Sequence, residues 1–311
     1  MDVQFADIVA AHARIRDGVH QTPVMRSTRL SQLWGVDVVF KCENLQKVGA
    51  FKARGALNAV KQLSPAQLRA GVITHSSGNH AAALARAAAL MGATADVVMP
   101  HNAPSNKKAA VRGYGATVHE CEPSLAAREA LTRTLMERRG ATLIHPYDDP
   151  AVIAGQGTAA LEFHQQCPEV HRWLVPVGGG GLLSGTALVG QRYGVEVIGV
   201  EPAGADDAFR SVRSGQLQSN TNPSTLADGL RGALSARTFG IIKAHVADIV
   251  TVTEEEILTA MREVANTLKL VIEPSAAVAV AGLKKCTKTD QRVGVILSGG
   301  NVDPILWPLL G

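Results

Sequence analysis

Four consecutive glycines, Gly178, Gly179, Gly180 and Gly181, constrain the fold of this 311-residue chain more than any other segment. They follow the apolar run 173–177, which predicts a buried strand, and precede residues 182–188, which predict the start of a helix. Glycines between a strand and a helix expose a row of backbone N–H groups, which is suited to bind phosphate. A dinucleotide site of the form G-x-G-x-x-G does not fit, because Leu183 or Ser184 falls on the third glycine. The chain also has no Gly-Lys pair, which excludes a P-loop.

Strand and helix patterns alternate along the whole chain. Short apolar runs bounded by Gly, Pro, Ser or Asn predict further buried strands at 36–41, 71–75, 95–99, 195–200 and 292–297, and residues 78–92 predict a helix. This alternation is typical of βαβ units, in which helices cover a parallel sheet. The sequence therefore predicts the α/β class.

The length and the order of these patterns predict two domains around one cleft. Residues 71–146 contain a self-contained β-α-β-α stretch and predict a small inserted domain. Residues 1–70 and 147–311 then form the large domain, which carries the glycine segment. In open α/β sheets a ligand binds beyond the carboxyl ends of the strands, so we expect the functional residues at those ends.

The composition indicates a globular protein and excludes several other classes. Hydrophobic residues make up 46% and charged residues 19%, enough to bury a sizeable core. The net charge of +4 is spread over the chain, so nucleic acid is not an expected partner. Cys42, Cys121, Cys167 and Cys286 lie far apart, which argues against a disulfide framework or a zinc site. No run of 18 apolar residues and no signal peptide is evident, so we expect no membrane association and a cytoplasmic location.

Three further segments combine polar residues with one or two glycines. They are Gly-Ala-Phe-Lys-Ala-Arg-Gly at 49–55, Ser-Ser-Gly-Asn-His at 76–80 and Ser-Gly-Gly-Asn at 298–301. A lone lysine such as Lys52 is normally a solvated amine, so the inference depends on the four segments together. Together they resemble the fold type II pyridoxal 5′-phosphate (PLP) enzymes, in the branch of serine racemase, serine and threonine dehydratases and threo-3-hydroxyaspartate dehydratase. The resemblance covers nearly the whole chain, from Thr22-Pro23 to Asn301.

The resemblance implies a tryptophan synthase β-like fold, in which two open, twisted, mostly parallel sheets are flanked by helices. It also implies a homodimer with PLP as cofactor. In this family the lysine of the Phe-Lys-x-Arg-Gly-Ala segment forms the Schiff base with the cofactor, and other residues hold its ring and phosphate. Carried over residue by residue, the cofactor site comprises Phe51, Lys52, Asn79, Gly178, Gly179, Gly180, Gly181, Gly229, Glu273 and Ser298.

These residues predict the reaction. A serine such as Ser298 beside the ring nitrogen leaves that nitrogen largely neutral, which disfavours transamination and favours β elimination or reprotonation. Lys52 is placed to take the α proton, provided that its pKa is lowered. Loss of the β hydroxyl then gives an aminoacrylate, which ends as a 2-oxo acid and ammonia. We therefore expect an ammonia-lyase that dehydrates L-serine, L-threonine or L-threo-3-hydroxyaspartate.

The predicted substrate residues leave an alternative open. Groups around Ser76, Ser77, Asn79 and His80 at a helix N-terminus would bind the substrate carboxylate. The Ser77 hydroxyl could also deliver a proton opposite Lys52, which makes serine racemase, or a bifunctional racemase and dehydratase, the alternative function. A helix N-cap is the other explanation for Ser77.

Arg128 matches an arginine that in serine racemase reaches the distal carboxylate of a dicarboxylic ligand, although a surface helical arginine is equally consistent with its position. Two departures, Tyr147 after His-Pro and Gly232 in place of a serine, put racemase identity in doubt.

A third group of residues predicts a cation site. Glu201, the carbonyl of Ala205 and Asp207 resemble the family's divalent-cation segment and offer hard oxygen ligands for Mg²⁺, Ca²⁺ or Mn²⁺. Solvated acidic side chains are the alternative. Cysteine synthase-like β replacement is less consistent with the asparagine-loop pattern. A cofactor-free regulatory protein would require loss of Lys52 or of the glycine segment, and both are present.

Overall fold

The computed structural model describes residues 3–286 and 291–309. In this part of the chain ten strands form two sheets. The strands are β1 Val24–Arg26, β2 Val38–Lys41, β3 Val72–His75, β4 Ala95–Pro100, β5 Thr117–Cys121, β6 Thr142–Leu143, β7 Arg172–Pro176, β8 Glu196–Pro202, β9 Asp248–Val252 and β10 Val293–Ile296. The larger sheet has the order β1-β2-β10-β7-β8-β9 and the smaller one β5-β4-β3-β6. All pairs are parallel except β1 with β2.

Helices connect the strands and cover both sheets. They are α1 Phe5–Ile15, α2 Thr28–Trp34, α3 Lys52–Val60, α4 Pro65–Ala70, α5 Asn79–Leu90, α6 Ser105–Gly113, α7 Leu125–Arg139, α8 Pro150–Gln166, α9 Gly181–Tyr193, α10 Asp207–Ser214, α11 Ala236–His245, α12 Glu254–Leu268, α13 Pro274–Ala281 and α14 Leu283–Cys286. Short 3-10 helices occur at Glu43–Leu45, Lys47–Gly49, Asp228–Leu230 and Pro304–Leu309. The predicted α/β class, with two mostly parallel sheets flanked by helices, is confirmed.

The larger sheet is buried on both faces, as expected for parallel strands. Phe40, Leu174 and Val295 point into one core with helices α12 and α13. Trp173 and Ile296 point into the other core, which contains residues of α1, α8 and α9. The central strands therefore present apolar side chains in both directions, which explains why they read as continuous apolar runs in the sequence.

The smaller sheet, residues 72–143, falls within the predicted insertion at 71–146. The division into two domains with those boundaries stays a prediction. Predicted and observed strands differ by one or two residues at their ends. For example, the run 36–41 begins as a strand at Val38, because Gly35 ends α2 with a left-handed φ of 65° and the chain needs two residues to turn.

Two sequence expectations concern the chain as a whole. Among the described helices, none combines the length and the apolar character needed to cross a bilayer. Cys42, Cys121 and Cys167 are free thiols, and the side chain of Cys286 lies outside the described part of the chain.

Candidate active site

The four predicted segments come together at one end of the strands. Residues 76–80 follow β3, the glycines follow β7 and residues 298–301 follow β10. The lysine segment lies beside the last of these, since the Phe51 N–H donates to the Ser298 carbonyl at 3.0 Å and the Gly300 N–H donates to the Gly49 carbonyl at 2.9 Å. Strands β7 and β10 are parallel and end at the same edge of the larger sheet. Residues 76–80 come from the smaller sheet and are joined to this edge by the hydrogen bond of 2.8 Å that Asn301 Nδ2 donates to Asn79 Oδ1.

Lys52 is the first residue of α3 and is half-buried. Its Nζ donates a hydrogen bond of 2.6 Å to the carbonyl of Pro146 and lies 5.1 Å from the centre of the Phe51 ring. Burial lowers the pKa of Lys52 to about 8, although the Glu273 carboxylate acts in the opposite direction. Near neutral pH, an amine with this pKa is neutral in a much larger fraction of molecules than an ordinary lysine is. It can therefore act as a nucleophile or as a base.

The glycine segment forms a cup that side chains could not share. Gly180 has φ of 86°, a left-handed conformation, and Gly181 starts α9. A Cβ on Gly179 would lie 2.3 Å from Cδ1 of Tyr147, and one on Gly178 would lie 2.8 Å from Cα of Leu230. The backbone N–H groups at the start of α9 lack partners within the helix, so this cup is suited to an anionic group.

The predicted ring-binding residues form a connected group. Asn79 Nδ2 donates to Glu273 Oε1 at 2.8 Å, and the Asn301 N–H donates to Glu273 Oε2 at 3.2 Å. Burial raises the pKa of Glu273 to about 7. Ser298 is also buried, and the backbone N–H of Gly229 donates to Ser275 Oγ at 3.1 Å. These contacts fix the loops around the space between Lys52 and the glycine cup.

The serine-rich loop before α5 has an unexpected cap. Gly78, and not Ser77, occupies the N-cap position, and no side chain caps this helix. The explanation of Ser77 as a helix N-cap is therefore wrong, because the Ser77 hydroxyl does not cap α5. Ser76 Oγ accepts a hydrogen bond of 3.3 Å from the Gly78 N–H. The His80 ring is buried and its Nε2 donates to the Ile144 carbonyl at 3.1 Å. Because burial lowers the pKa of His80 to about 3, the ring is neutral.

Arg128 lies in the first turn of α7 and is half-buried, with its Nε donating to the Ser124 carbonyl at 3.4 Å. Its charge contributes to the lowered pKa of His75, after burial, so the guanidinium lies within electrostatic reach of the end of β3. Tyr147 packs edge-on against His145, with 4.7 Å between ring centres. A Cβ on Gly232 would lie 3.6 Å from Cε1 of Tyr147. The two sequence departures therefore belong together, since the tyrosine ring lies beside the space that the glycine leaves open.

The predicted cation residues lie at the end of β8 and the start of α10. Glu201, Ala205 and Asp207 are all buried. The Glu201 carboxylate accepts hydrogen bonds from the N–H groups of Ala208 at 3.0 Å and Phe209 at 2.8 Å, and Asp207 Oδ2 accepts from the Leu234 N–H at 2.9 Å. Burial, together with the neighbouring Asp207 charge, raises the pKa of Glu201 to about 9, and burial raises that of Asp207 to about 6. In the described part of the chain, no group of three or more His, Cys, Asp or Glu side chains forms a metal site.

A buried ionic network, which no motif in the sequence indicated, lies behind the lysine segment. Arg54 donates to both oxygens of Glu43 at 2.7 and 2.8 Å and to both oxygens of Glu162 at 2.8 Å. Lys41 Nζ donates to Glu162 at 3.0 Å and to the Thr22 carbonyl at 2.8 Å. The partners lie far apart along the chain, so only the arginine of the lysine segment could have indicated them. The network ties the start of α3 to β2 and α8.

Comparison with known proteins places the chain in a family. The model of the family described as "Pyridoxal-phosphate dependent enzyme" matches residues 15–299. Serine racemase from Dictyostelium discoideum is 46% identical over 309 residues, which cover 97% of this chain and 95% of that protein. The beta-hydroxyaspartate dehydratase of Paracoccus denitrificans is 46% identical over 303 residues and 96% of each chain. The crystal structure of a threonine deaminase, from an organism abbreviated "T.th.", superposes with a TM-score of 0.92 at 43% identity, covering 96% of this chain and 99% of that one.

These similarities extend over nearly the full length of each relative, and they agree with the arrangement of the four segments around one cleft. They confirm the resemblance to the fold type II enzymes and the fold that it implied. The chain belongs to the family of pyridoxal-phosphate dependent enzymes.

Proposed function

We propose that this protein is a PLP-dependent lyase that dehydrates a small hydroxy amino acid to a 2-oxo acid and ammonia. The observation that carries the proposal is Lys52, a half-buried amine with a pKa lowered to about 8, in a cleft that also contains the glycine cup and Ser298. Relatives named as a hydroxyaspartate dehydratase and a threonine deaminase support this class of reaction.

The residues present fit the cofactor. The glycine cup at the start of α9 offers backbone donors for the phosphate, and a side chain at Gly178 or Gly179 would collide with its surroundings. Lys52 would hold the cofactor covalently, Phe51 would contact its ring, and Ser298 would face the ring nitrogen. Asn79 would hydrogen-bond the ring hydroxyl, and the other ring contacts would come from Glu273 and Gly229. When bound, PLP supplies an electron sink for the amino acid attached to it.

The protein's own groups would direct the protons. Lys52, released when substrate takes its place, would accept the α proton as a neutral amine. The Pro146 carbonyl, 2.6 Å from Nζ in the structure, accepts a hydrogen bond from this amine and fixes its position. A serine at position 298 offers no permanent negative charge to the ring nitrogen, which favours elimination over transamination.

The substrate would be held at its two ends. Ser76, Ser77 and the first-turn N–H groups of Asn79 and His80 would bind the α-carboxylate, because N–H groups in the first turn of α5 have no partners within the helix. Arg128 would reach a distal carboxylate, which favours hydroxyaspartate among the candidate substrates. Its electrostatic proximity to His75 supports this placement.

We also propose a divalent cation, Mg²⁺, Ca²⁺ or Mn²⁺, on Glu201, the Ala205 carbonyl and Asp207. Burial disfavours the ionised form of both carboxyl groups, and the Asp207 charge adds to this effect at Glu201, as the raised pKa values indicate. A hard cation with oxygen ligands would favour the ionised forms. A homodimer, which the family resemblance implies, remains part of the proposal. The cytoplasmic location, expected because no signal peptide is evident in the sequence, remains part of it too.

Racemisation of serine is the second candidate function. The specific observation that favours it is Ser77, whose hydroxyl is not used as a helix cap. A hydroxyl opposite Lys52 could return a proton to the other face of the substrate. The D. discoideum relative carries the name serine racemase, which is consistent with this activity.

One assay separates these functions. Purified protein with PLP is given L-serine, L-threonine and L-threo-3-hydroxyaspartate in turn, and ammonia, 2-oxo acid and D-serine are measured together. Dehydration predicts equal amounts of ammonia and 2-oxo acid, which Lys52→Arg should abolish and the control Lys61→Arg, at the far end of α3, should retain. Formation of D-serine without 2-oxo acid would favour the racemase, and no product from any of the three would contradict both.

A further inference from the structure

Two loops of the cleft run antiparallel beside each other. The segments 49–51 and 298–300 are joined by the two backbone hydrogen bonds described above and by the antiparallel bridge between Ala50 and Gly299. The next rung is made by a side chain, because Asn301 Nδ2 donates to the Val48 carbonyl at 2.8 Å. Asn301 therefore extends a backbone ladder that links the lysine segment to the Ser298 loop.

The acceptor of this rung has an unusual backbone. Val48 adopts φ of 56° and ψ of 14°, a left-handed conformation that β-branched residues rarely adopt. Such a conformation persists only where the surroundings impose it, and it is found preferentially at functional sites. Gly49 follows with φ of 69°, and a Cβ there would lie 2.6 Å from Asn301 Oδ1. This turn therefore leaves room for Asn301 and directs the Val48 carbonyl towards it.

Only one orientation of the Asn301 side-chain amide satisfies its hydrogen-bond partners. A carbonyl can only accept, so the amide nitrogen of Asn301, and not its oxygen, must face Val48. That nitrogen also donates to Asn79 Oδ1 at 2.8 Å. Asn79 is thus left with its Nδ2 facing Glu273 Oε1, where the distance is 2.8 Å. One hydrogen of this nitrogen serves Glu273, and the second is the remaining donor of the Asn79 amide.

We propose that Asn301 is a positioning residue that fixes the amide of Asn79, so that Asn79 offers an N–H donor and not its oxygen to the ring hydroxyl of PLP. The inference rests on the proposed role of Asn79 in the cofactor site. A donor in this position favours the ionised form of the ring oxygen, because a hydrogen bond to the charged form stabilises it.

Glu273 alone could not maintain this orientation. Its pKa is raised to about 7 by burial, so the carboxyl gains a proton near neutral pH and could then donate to an amide turned by half a rotation. A turned Asn79 would place its NH₂ group against the NH₂ group of Asn301, which would leave two donors facing each other. Asn301, held by the Val48 carbonyl, therefore keeps the Asn79 amide in the same orientation whether Glu273 is ionised or protonated.

The experiment uses the protein with bound PLP and two neutral variants, Asn301→Leu, which keeps the size of the side chain, and Asn301→Ala. The readouts are the pH at which the visible absorption band of the bound cofactor titrates and the dissociation constant of PLP. Asn79→Ala is the reference, and Asn266→Ala, on the exposed side of α12, is the matched control.

We expect the titration to move about one pH unit upward in Asn79→Ala and in both Asn301 variants, because the loss of one hydrogen bond to a charged oxygen is worth about that much. Asn266→Ala should not move it. If Asn79→Ala shifts the titration and neither Asn301 variant does, Asn301 has no positioning role. If Asn79→Ala itself leaves the titration unchanged, the assignment of Asn79 to the ring is wrong and the inference fails with it.

Discussion

The cation proposed at Glu201 and Asp207 should bind in competition with protons. Before the cation binds, the pKa of Glu201 is about 9, so this carboxyl carries a proton at pH 7. Removing that proton costs about 2.7 kcal/mol, since each pH unit below the pKa costs about 1.4 kcal/mol. Between pH 6.5 and 8.5 Asp207, with a pKa of about 6, is already ionised, so cation binding releases about one proton. The dissociation constant should therefore fall about tenfold for each pH unit, or about a hundredfold over this range.

The stability of the cation-free protein should change in the opposite direction. The folded protein retains a proton on Glu201 that the unfolded chain, with an ordinary carboxyl pKa, has already released. Its free energy of unfolding should therefore fall as the pH rises from about 4.5 towards 9. A saturating cation should remove this loss, because it binds only the folded state and binds more tightly as the pH rises.

Isothermal titration calorimetry measures how the dissociation constant depends on pH. The protein is treated with a chelator, dialysed and titrated with Mg²⁺ or Ca²⁺ at pH 6.5, 7.5 and 8.5, and its melting temperature provides a second readout. Asp207→Asn should abolish binding. Asp206→Asn is the matched control, because Asp206 pairs with Arg210 at the surface and lies outside the proposed ligands. An affinity that does not change with pH, or equal losses in the two variants, would refute the reasoning from the raised pKa values.

Three further predictions concern single side chains. Ser77→Ala should abolish interconversion of L- and D-serine, measured by chiral chromatography, while dehydration of L-serine survives within about tenfold. Equal loss of both activities would contradict the role of the Ser77 hydroxyl as a proton donor opposite Lys52. Arg128→Ala should lower kcat/KM for hydroxyaspartate far more than for serine, because hydroxyaspartate loses a few kcal/mol of transition-state binding. Arg133→Ala, at an exposed position of the same helix, should change kcat/KM for neither substrate. Arg54→Met leaves the buried carboxylate of Glu43 without a charged partner, while Glu162 keeps Lys41, and should lower the free energy of unfolding by about 3–5 kcal/mol in urea titrations; a loss below about 1 kcal/mol would show that the network is dispensable.

The sequence predicted those parts of the fold that depend on local patterns. Buried parallel strands are continuous apolar runs, so β2, β7 and β10 could be located to within two residues. The glycines marked the start of α9, because few other residues permit the left-handed turn at Gly180. The order of the strands within a sheet, and the antiparallel β1 at its edge, depend on contacts between distant segments and could not be derived from local patterns.

The candidate site residues in the four segments could be named because their motifs resemble those of the PLP enzymes, and their roles stay predictions. The groups that fix them could not, since the Pro146 carbonyl under Lys52 is a backbone atom of no distinctive sequence. No local pattern indicated that Arg54 and its carboxylate partners are buried together. For Ser77 the local preference of serine for helix caps left a cap open as an alternative, and the structure has Gly78 at that position instead.

Reduction of the cofactor-loaded protein with borohydride, followed by peptide mapping, tests the central claim most directly. The lowered pKa of Lys52 and its place between the glycine cup and Ser298 predict that the cofactor is fixed to this lysine. The reduced label should appear in the peptide that contains Lys52 and should disappear in Lys52→Arg, while Lys61→Arg keeps it. Stoichiometric labelling of any other lysine would contradict the account of the active site.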